Sequence, residues 1–203
     1  MVTIGLLLAG GRSRRMDGAN KLLCAISGAR LFDRAITRLR PQVELVVVSA
    51  NGNADDVSDG GLPVVEDGPF AGRGPLAGIL AGLRWGQSVG GNDALVVSSP
   101  ADTPFLPLDL VGRLTAAREA ARTDTAVAAS GDRVHHAIAV WPAVLADDLE
   151  AWLASGKSSA VRDFLASKTS VTVTFAALYD PFFNINTPDD LERAAAIEQA
   201  FTP

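Results

Sequence analysis

Leu8-Ala9-Gly10-Gly11-Arg12-Ser13-Arg14-Arg15-Met16, with Lys21 shortly after, sets two adjacent glycines and a group of cations directly behind the apolar run Ile4-Gly5-Leu6-Leu7-Leu8. Glycines carry no Cβ, so their backbone N–H groups can close on a ligand. Such donors, backed by cations at the end of a strand, suit a polyphosphate. A tight turn carrying solvated arginines is the other reading that glycines alone leave open, and Arg12 and Arg14 fit it. Lys21 and Arg15 are spaced for the loop to curl back over phosphates, where they would neutralise charge on the transferring and leaving groups.

Asp102 is the strongest single carboxylate. It follows the apolar run Ala94-Leu95-Val96-Val97 and sits in Pro100-Ala101-Asp102-Thr103-Pro104, whose prolines keep it out of a helix. Mg²⁺ is commonly held by one or two carboxylates plus phosphate oxygens, so one well-placed Asp can serve. The competing role is capping of the next helix, for which Asp109 lies closer. Gly74-Pro75-Leu76-Ala77-Gly78 opens another helix, and its small residues suit either a flat heterocycle or close packing on a sheet. Asn184-Ile185-Asn186-Thr187-Pro188 places two amides two residues apart, on the same side if extended. They would orient a substrate or a metal-bound water, or form the turn before the last helix. His135 and His136 point to opposite faces of a strand and have no third ligand nearby, so a surface or partly buried role is expected. No Ser/His/Asp or Cys/His order suggests a covalent nucleophile. The glycine run fits neither the dinucleotide fingerprint nor the Walker A pattern.

The elements that must position these groups alternate. Apolar strand-like runs at 45–48, 62–65, 94–97, 125–128, 137–140 and 171–175 follow the first one. Helical patterns fall at 31–40, 75–85, 107–122, 143–155, 159–167 and 188–201. The run at 171–175 alternates cleanly, as an edge strand does. Thr187, Pro188 and Asp190 read as N-cap, first helical residue and capping-box acid. Such alternation predicts a single α/β domain over residues 1–203, a doubly wound and mostly parallel sheet with helices on both faces. In that architecture ligands bind outside the carboxyl ends of the strands. Ser49 and Asn51, Glu66 and Asp67, and Ser98–Asp102 should therefore converge with the Gly10–Lys21 loop.

With 203 residues, 48% of them hydrophobic, the chain can bury a sizeable core. Its formal net charge of −5 argues against a nucleic-acid partner, so the local basicity near Gly10 points to a small anion. The single Cys24 excludes an internal disulfide and reads as a small core residue. The absence of a long apolar span or of a signal-peptide pattern predicts a soluble cytoplasmic protein with no membrane partner.

Taken together these stretches resemble the molybdenum cofactor guanylyltransferases, the MobA-type nucleotidyltransferases. That family opens with Leu-Ala-Gly-Gly-x-x-x-Arg-Met-Gly and a following Asp-Lys, matched by Leu8–Asp17 and Asn20-Lys21. Gly74–Gly78, Asp102-Thr103-Pro104 and Asn184–Pro188 match the later motifs in order. The resemblance implies transfer of GMP from GTP to the terminal phosphate of the molybdopterin cofactor, with Mg²⁺ and release of pyrophosphate. It implies Leu8, Ala9, Gly10 and Gly11 at the nucleotide, with Ser49, Asn51 and Asp67. Lys21 and Arg15 would meet phosphates, and Asp102 would meet metal and nucleotide. Gly74 and Gly78 would shape the guanine pocket, while Asn184 and Asn186 would face the pterin. Molybdoenzyme chaperones are candidate protein partners. The chain departs from the family pattern at Asn20 (Asp expected), Asp17 (Gly), Ser49 (Asn) and Lys157-Ser158-Ser159 (arginine-rich). A cytidylyl- or sugar-phosphate nucleotidyltransferase, or an inactive nucleotide-binding relative, are the competing readings.

Overall fold

A computed structural model describes residues 1–10, 21–51 and 61–201 of the chain. Its strands are β1 (Thr3–Leu8), β2 (Ala25–Ile26), β3 (Ala29–Arg30), β4 (Leu45–Ser49), β5 (Val64–Val65), β6 (Leu95–Pro100), β7 (Thr125–Ser130), β8 (Arg133–Pro142) and β9 (Ser170–Thr174). The α-helices are α1 (Leu31–Leu39), α2 (Pro75–Gly90), α3 (Leu110–Ala121), α4 (Ala146–Ala154), α5 (Val161–Leu165) and α6 (Pro188–Phe201).

Seven strands form one sheet in the order β5-β4-β1-β6-β8-β7-β9, and β2 pairs with β3 in a separate small hairpin. Every neighbour pair in the large sheet is parallel except the two made by β8. The central strands are buried on both faces, which is why they read as continuous apolar runs. One face packs on α1 and α3 through Leu7, Val46, Val97 and Phe32; the other packs on α2, α4 and α5 through Ile4, Val96, Trp141 and Phe164. A third cluster, with Ile26, Leu31 and Ile185 at its centre, seats α6 against the β2–β3 hairpin. The β9 edge strand alternates exposed and half-buried residues, as its sequence pattern predicts.

Several boundaries differ from the sequence reading. Strand β5 is confined to Val64–Val65, because Pro63 cannot donate to a ladder. Helix α2 runs on to Gly90 and stops before Gly91, whose φ of 70° leaves the helical region. The 107–122 segment becomes helical only at Leu110. The 143–155 pattern divides into a 3₁₀ turn, Ala143–Leu145, and α4. The α6 start matches its expected capping box: Asp190 Oδ2 accepts from the Thr187 N–H at 3.1 Å, and Thr187 Oγ1 accepts from the Asp190 N–H at 3.1 Å. Among the described residues, no helix is long and apolar enough to cross a membrane.

Candidate active site

Strand β1 is where the sheet changes winding direction. From it the chain passes through α1 to β4 on one side, then through β5 and α2 to β6 on the other. In an open α/β sheet such a switch point is where a ligand crevice forms, here above the carboxyl end of β1. Its walls are tied to β1 itself. The Ala9 N–H donates to the Ser49 carbonyl at 2.9 Å, and the Ala101 N–H donates to the Leu8 carbonyl at 3.1 Å. Leu8, Ala9 and Gly10 therefore leave the sheet between the ends of β4 and β6, one residue from Asp102.

The β4 and β5 ends carry a closed polar cluster. Ser49 Oγ donates to Asp67 Oδ1 at 3.1 Å, Asn51 Nδ2 donates to Asp67 Oδ2 at 2.5 Å, and the Asp67 N–H returns to Asn51 Oδ1 at 2.9 Å. Ser49 and Asp67 are both buried, so these bonds satisfy polar groups largely withdrawn from water. Asp67 is thereby held as an acceptor for two side chains at the crevice wall. A Cβ on Gly10 would come within 3.3 Å of Asn51 Nδ2, so glycine keeps the crevice floor clear of this cluster.

Helix α2 approaches the same cluster from one face. Gly74, with φ 70° and ψ −163°, occupies a backbone region open to glycine and precedes Pro75 at the first helical position. A Cβ on Gly78 would sit 2.5 Å from Ser49 Oγ and 3.0 Å from Leu8 Cδ2, and one on Gly82 would sit 2.5 Å from Leu6 Cδ2. Close packing on the sheet thus requires both glycines. Gly78 additionally places the helix directly behind a residue of the polar cluster.

On the β6 side, Asp102 is buried at 8% exposed, next to fully buried Thr103. It does not cap α3, whose N-cap position is Asp109. Thr103 Oγ1 donates to Asn184 Oδ1 at 2.9 Å and the Ile185 N–H donates to the Asp102 carbonyl at 3.2 Å, so the Asp-Thr-Pro turn and the late asparagine segment form one unit. Asn184 is half-buried in that unit. Asn186 is exposed, and its N–H donates to Asp190 Oδ2 at 3.0 Å at the start of α6. The two amides thus stand in different surroundings. Ser98 turns out to be a strand residue: its hydroxyl donates to the Ala137 carbonyl and accepts from Trp141 Nε1, both at 2.8 Å. Gly11, Arg12, Arg14, Arg15 and Asn20 lie outside the described residues, and Lys21 opens the 3₁₀ turn Lys21–Leu23.

His135 corrects the sequence expectation of a surface or partly buried histidine, since it is 8% exposed. The register of β7 on β8 shifts between Val127 and Ala128, which places His135 opposite Ala128 and turns its ring inward. Burial holds its pKa below the ordinary histidine value, against the opposing pull of the Asp180 carboxylate. Arg162 is exposed and pairs with Asp163 at 3.2 Å.

The family model for the MobA-like NTP transferase domain matches residues 5–171. The chain belongs to that family. Curated relatives called molybdenum cofactor guanylyltransferase include one from Mesorhizobium japonicum, 43% identical over 203 residues, with 98% of this chain and 97% of the relative covered. Another, from a Bradyrhizobium species, is 48% identical over 198 residues, covering 96% and 93%. Among solved structures, the molybdopterin-guanine dinucleotide biosynthesis protein A of Archaeoglobus fulgidus superposes with a TM-score of 0.78. It is 26% identical and covers 98% of this chain and 100% of that chain. The MobA-like match spans β1 through the start of β9, and so includes the crevice, the Asp67 cluster and the Asp102 turn.

Proposed function

We propose that the chain transfers GMP from GTP to the terminal phosphate of the molybdopterin cofactor, releasing pyrophosphate, and that Mg²⁺ assists. The observation that carries this reading is the meeting, above β1, of a glycine floor at Gly10, the braced Asp67 cluster and the buried Asp102 turn. The named relatives supply the acceptor: two of them, above 40% identity over nearly the whole chain, are called molybdenum cofactor guanylyltransferases.

The donor chemistry suits Mg²⁺. Among the described residues no group of three or more His, Cys, Asp or Glu side chains could cage a metal. Asp67 is braced by Asn51 and Ser49, whereas Asp102 lies buried in the turn past β6. Among the described residues Asp102 would hold the ion together with substrate phosphate oxygens, the usual arrangement for Mg²⁺. The ion would offset the charge of the triphosphate.

In the transfer an acceptor phosphate oxygen bonds to the α-phosphorus of GTP as the bond to the β-phosphate bridging oxygen breaks, and pyrophosphate leaves. The protein's share is positioning and charge neutralisation. Leu8, Ala9 and Gly10 present backbone to the nucleotide, Lys21 and Arg15 neutralise phosphate charge, and Gly11 also serves the nucleotide. Ser49, Asn51 and Asp67 form one wall, Gly74 and Gly78 bound the guanine, and Asn184 and Asn186 face the pterin. Pyrophosphate release measured with GTP, CTP and ATP, each with and without molybdopterin, tests this. The expected signal needs GTP, molybdopterin and Mg²⁺ together and disappears with EDTA. Preference for CTP would replace the guanylyl assignment, and silence with every pairing would overturn the transfer itself.

A further inference from the structure

The Asp102 turn is held from outside by the segment 180–185, and that segment has its own anchor at the end of β7, two strands across the sheet from β6. Ser130 ends β7, where its Oγ donates to Asp180 Oδ1 at 2.7 Å and lies 2.7 Å from His135 Nε2. A hydroxyl has one proton to give; with that proton on Asp180, the contact to His135 is Nε2–H donating to Ser130 Oγ. Asp180 Oδ1 also accepts from the Phe182 N–H at 2.9 Å, and the Asp180 carbonyl accepts from the Phe183 N–H at 3.1 Å. The carboxylate thus sets a tight turn. Phe182, 1% exposed, is wedged between the His135 ring at 4.8 Å and the Phe175 ring at 5.4 Å. Two residues further on come the bonds from Thr103 to Asn184 and from Ile185 to the Asp102 carbonyl.

We propose that Ser130 and Asp180 are positioning residues, whose hydrogen bond fixes the 180–185 segment and through it the Asp102-Thr103 turn. The inference rests on the transfer reading for what Asp102 does, and on the geometry alone for what holds it. Neither residue belongs to the matched motifs or faces the crevice cluster around Asp67. The Asp102 turn lies past the end of β6 and has no strand partner of its own. Its backbone ties include the Ala101 bond to Leu8 and the Ile185 bond to Asp102, and the second depends on where segment 180–185 sits. Displacements of about 1 Å at a reacting centre can cost around 100-fold in rate, so a slackened anchor should reach the chemistry.

The test compares Ser130→Ala, Asp180→Ala and Asp180→Asn. An asparagine Oδ1 still accepts from both Ser130 and the Phe182 N–H, so the amide should keep the turn. The expected result is a fall in kcat of about 10- to 100-fold for Asp180→Ala, with a smaller loss for Ser130→Ala. The KM for GTP should stay within about threefold, and Asp180→Asn should recover most of the lost kcat. Exchange of the Ile185 amide, followed by NMR, should quicken in both alanine variants and not in Asp180→Asn. Wild-type kcat in Asp180→Ala, or an asparagine variant as slow as the alanine one, would overturn the proposal. If the wild-type chain releases no pyrophosphate, the transfer reading fails, and Ile185 exchange alone decides the anchor: quickened exchange in the alanine variants supports it and unchanged exchange overturns it.

Discussion

Replacing Asp102 with asparagine should lower Mg²⁺-dependent pyrophosphate release by about a thousandfold while leaving the melting temperature near that of the parent chain. The substitution keeps the size of the side chain and removes its charge. The turn is held through backbone atoms, the Asp102 carbonyl and the Ala101 N–H, and through Thr103, none of which the change touches. What is lost is the carboxylate that a hard cation requires. Kinetics at saturating GTP and molybdopterin, with Mg²⁺ varied, measure the effect. Retained turnover in the variant would remove Asp102 from the chemistry.

The second large effect comes from a glycine buried behind the site. Gly78→Ala introduces a Cβ that would lie 2.5 Å from Ser49 Oγ and 3.2 Å from Ser49 Cβ, closer than packed atoms stand. Rotation of the Ser49 hydroxyl relieves the first contact at the expense of its bond to Asp67, and the second forces α2 away from β4. Overpacking of this kind costs about 1–3 kcal/mol. Gly82→Ala is the matched control, since its Cβ meets Leu6 at the same 2.5 Å but no member of the polar cluster. Denaturant unfolding should show comparable losses for the two variants. GTP titration should separate them, with binding weakened by about tenfold or more in Gly78→Ala and little changed in Gly82→Ala, a difference of about 1.4 kcal/mol. Equal affinities would show that Ser49 and Asp67 do not bear on the nucleotide.

Most of the scaffold was legible because its physics is local. Runs such as Leu45–Ser49 and Leu95–Pro100 announce strands covered on both faces, and Thr187-Pro188 with Asp190 announces a capped helix. The β2–β3 hairpin was missed, although Ser27 and Gly28, both at positive φ, form the kind of turn that joins such strands. Strand β8 was foreseen over four residues and extends over ten, because the register shift beside Val127 breaks the alternation that a strand pattern needs. The meeting of Ser49, Asn51 and Asp67 followed from the rule that groups after successive strands converge at their carboxyl ends. Partnerships across long separations had no such signal. Nothing in the sequence ties Ser130 to Asp180, fifty residues apart, or Thr103 to Asn184, eighty-one apart. At Gly78 the packing role is visible in shape, since the approach to Ser49 and Leu8 demands the glycine whether or not guanine lies nearby.

The central claim is that Gly10, Asp67 and Asp102 bound a single nucleotide seat above β1. A crystal structure of the chain with Mg²⁺ and a non-hydrolysable GTP analogue tests it most directly. The account predicts triphosphate lying over the Gly10 backbone, with the ion between it and the Asp102 carboxylate and the base toward Gly74 and Gly78. Nucleotide bound elsewhere, for instance in the cavity of about 300 Å³ beside Arg34 and Tyr179, with Asp102 remote from phosphate, would contradict it.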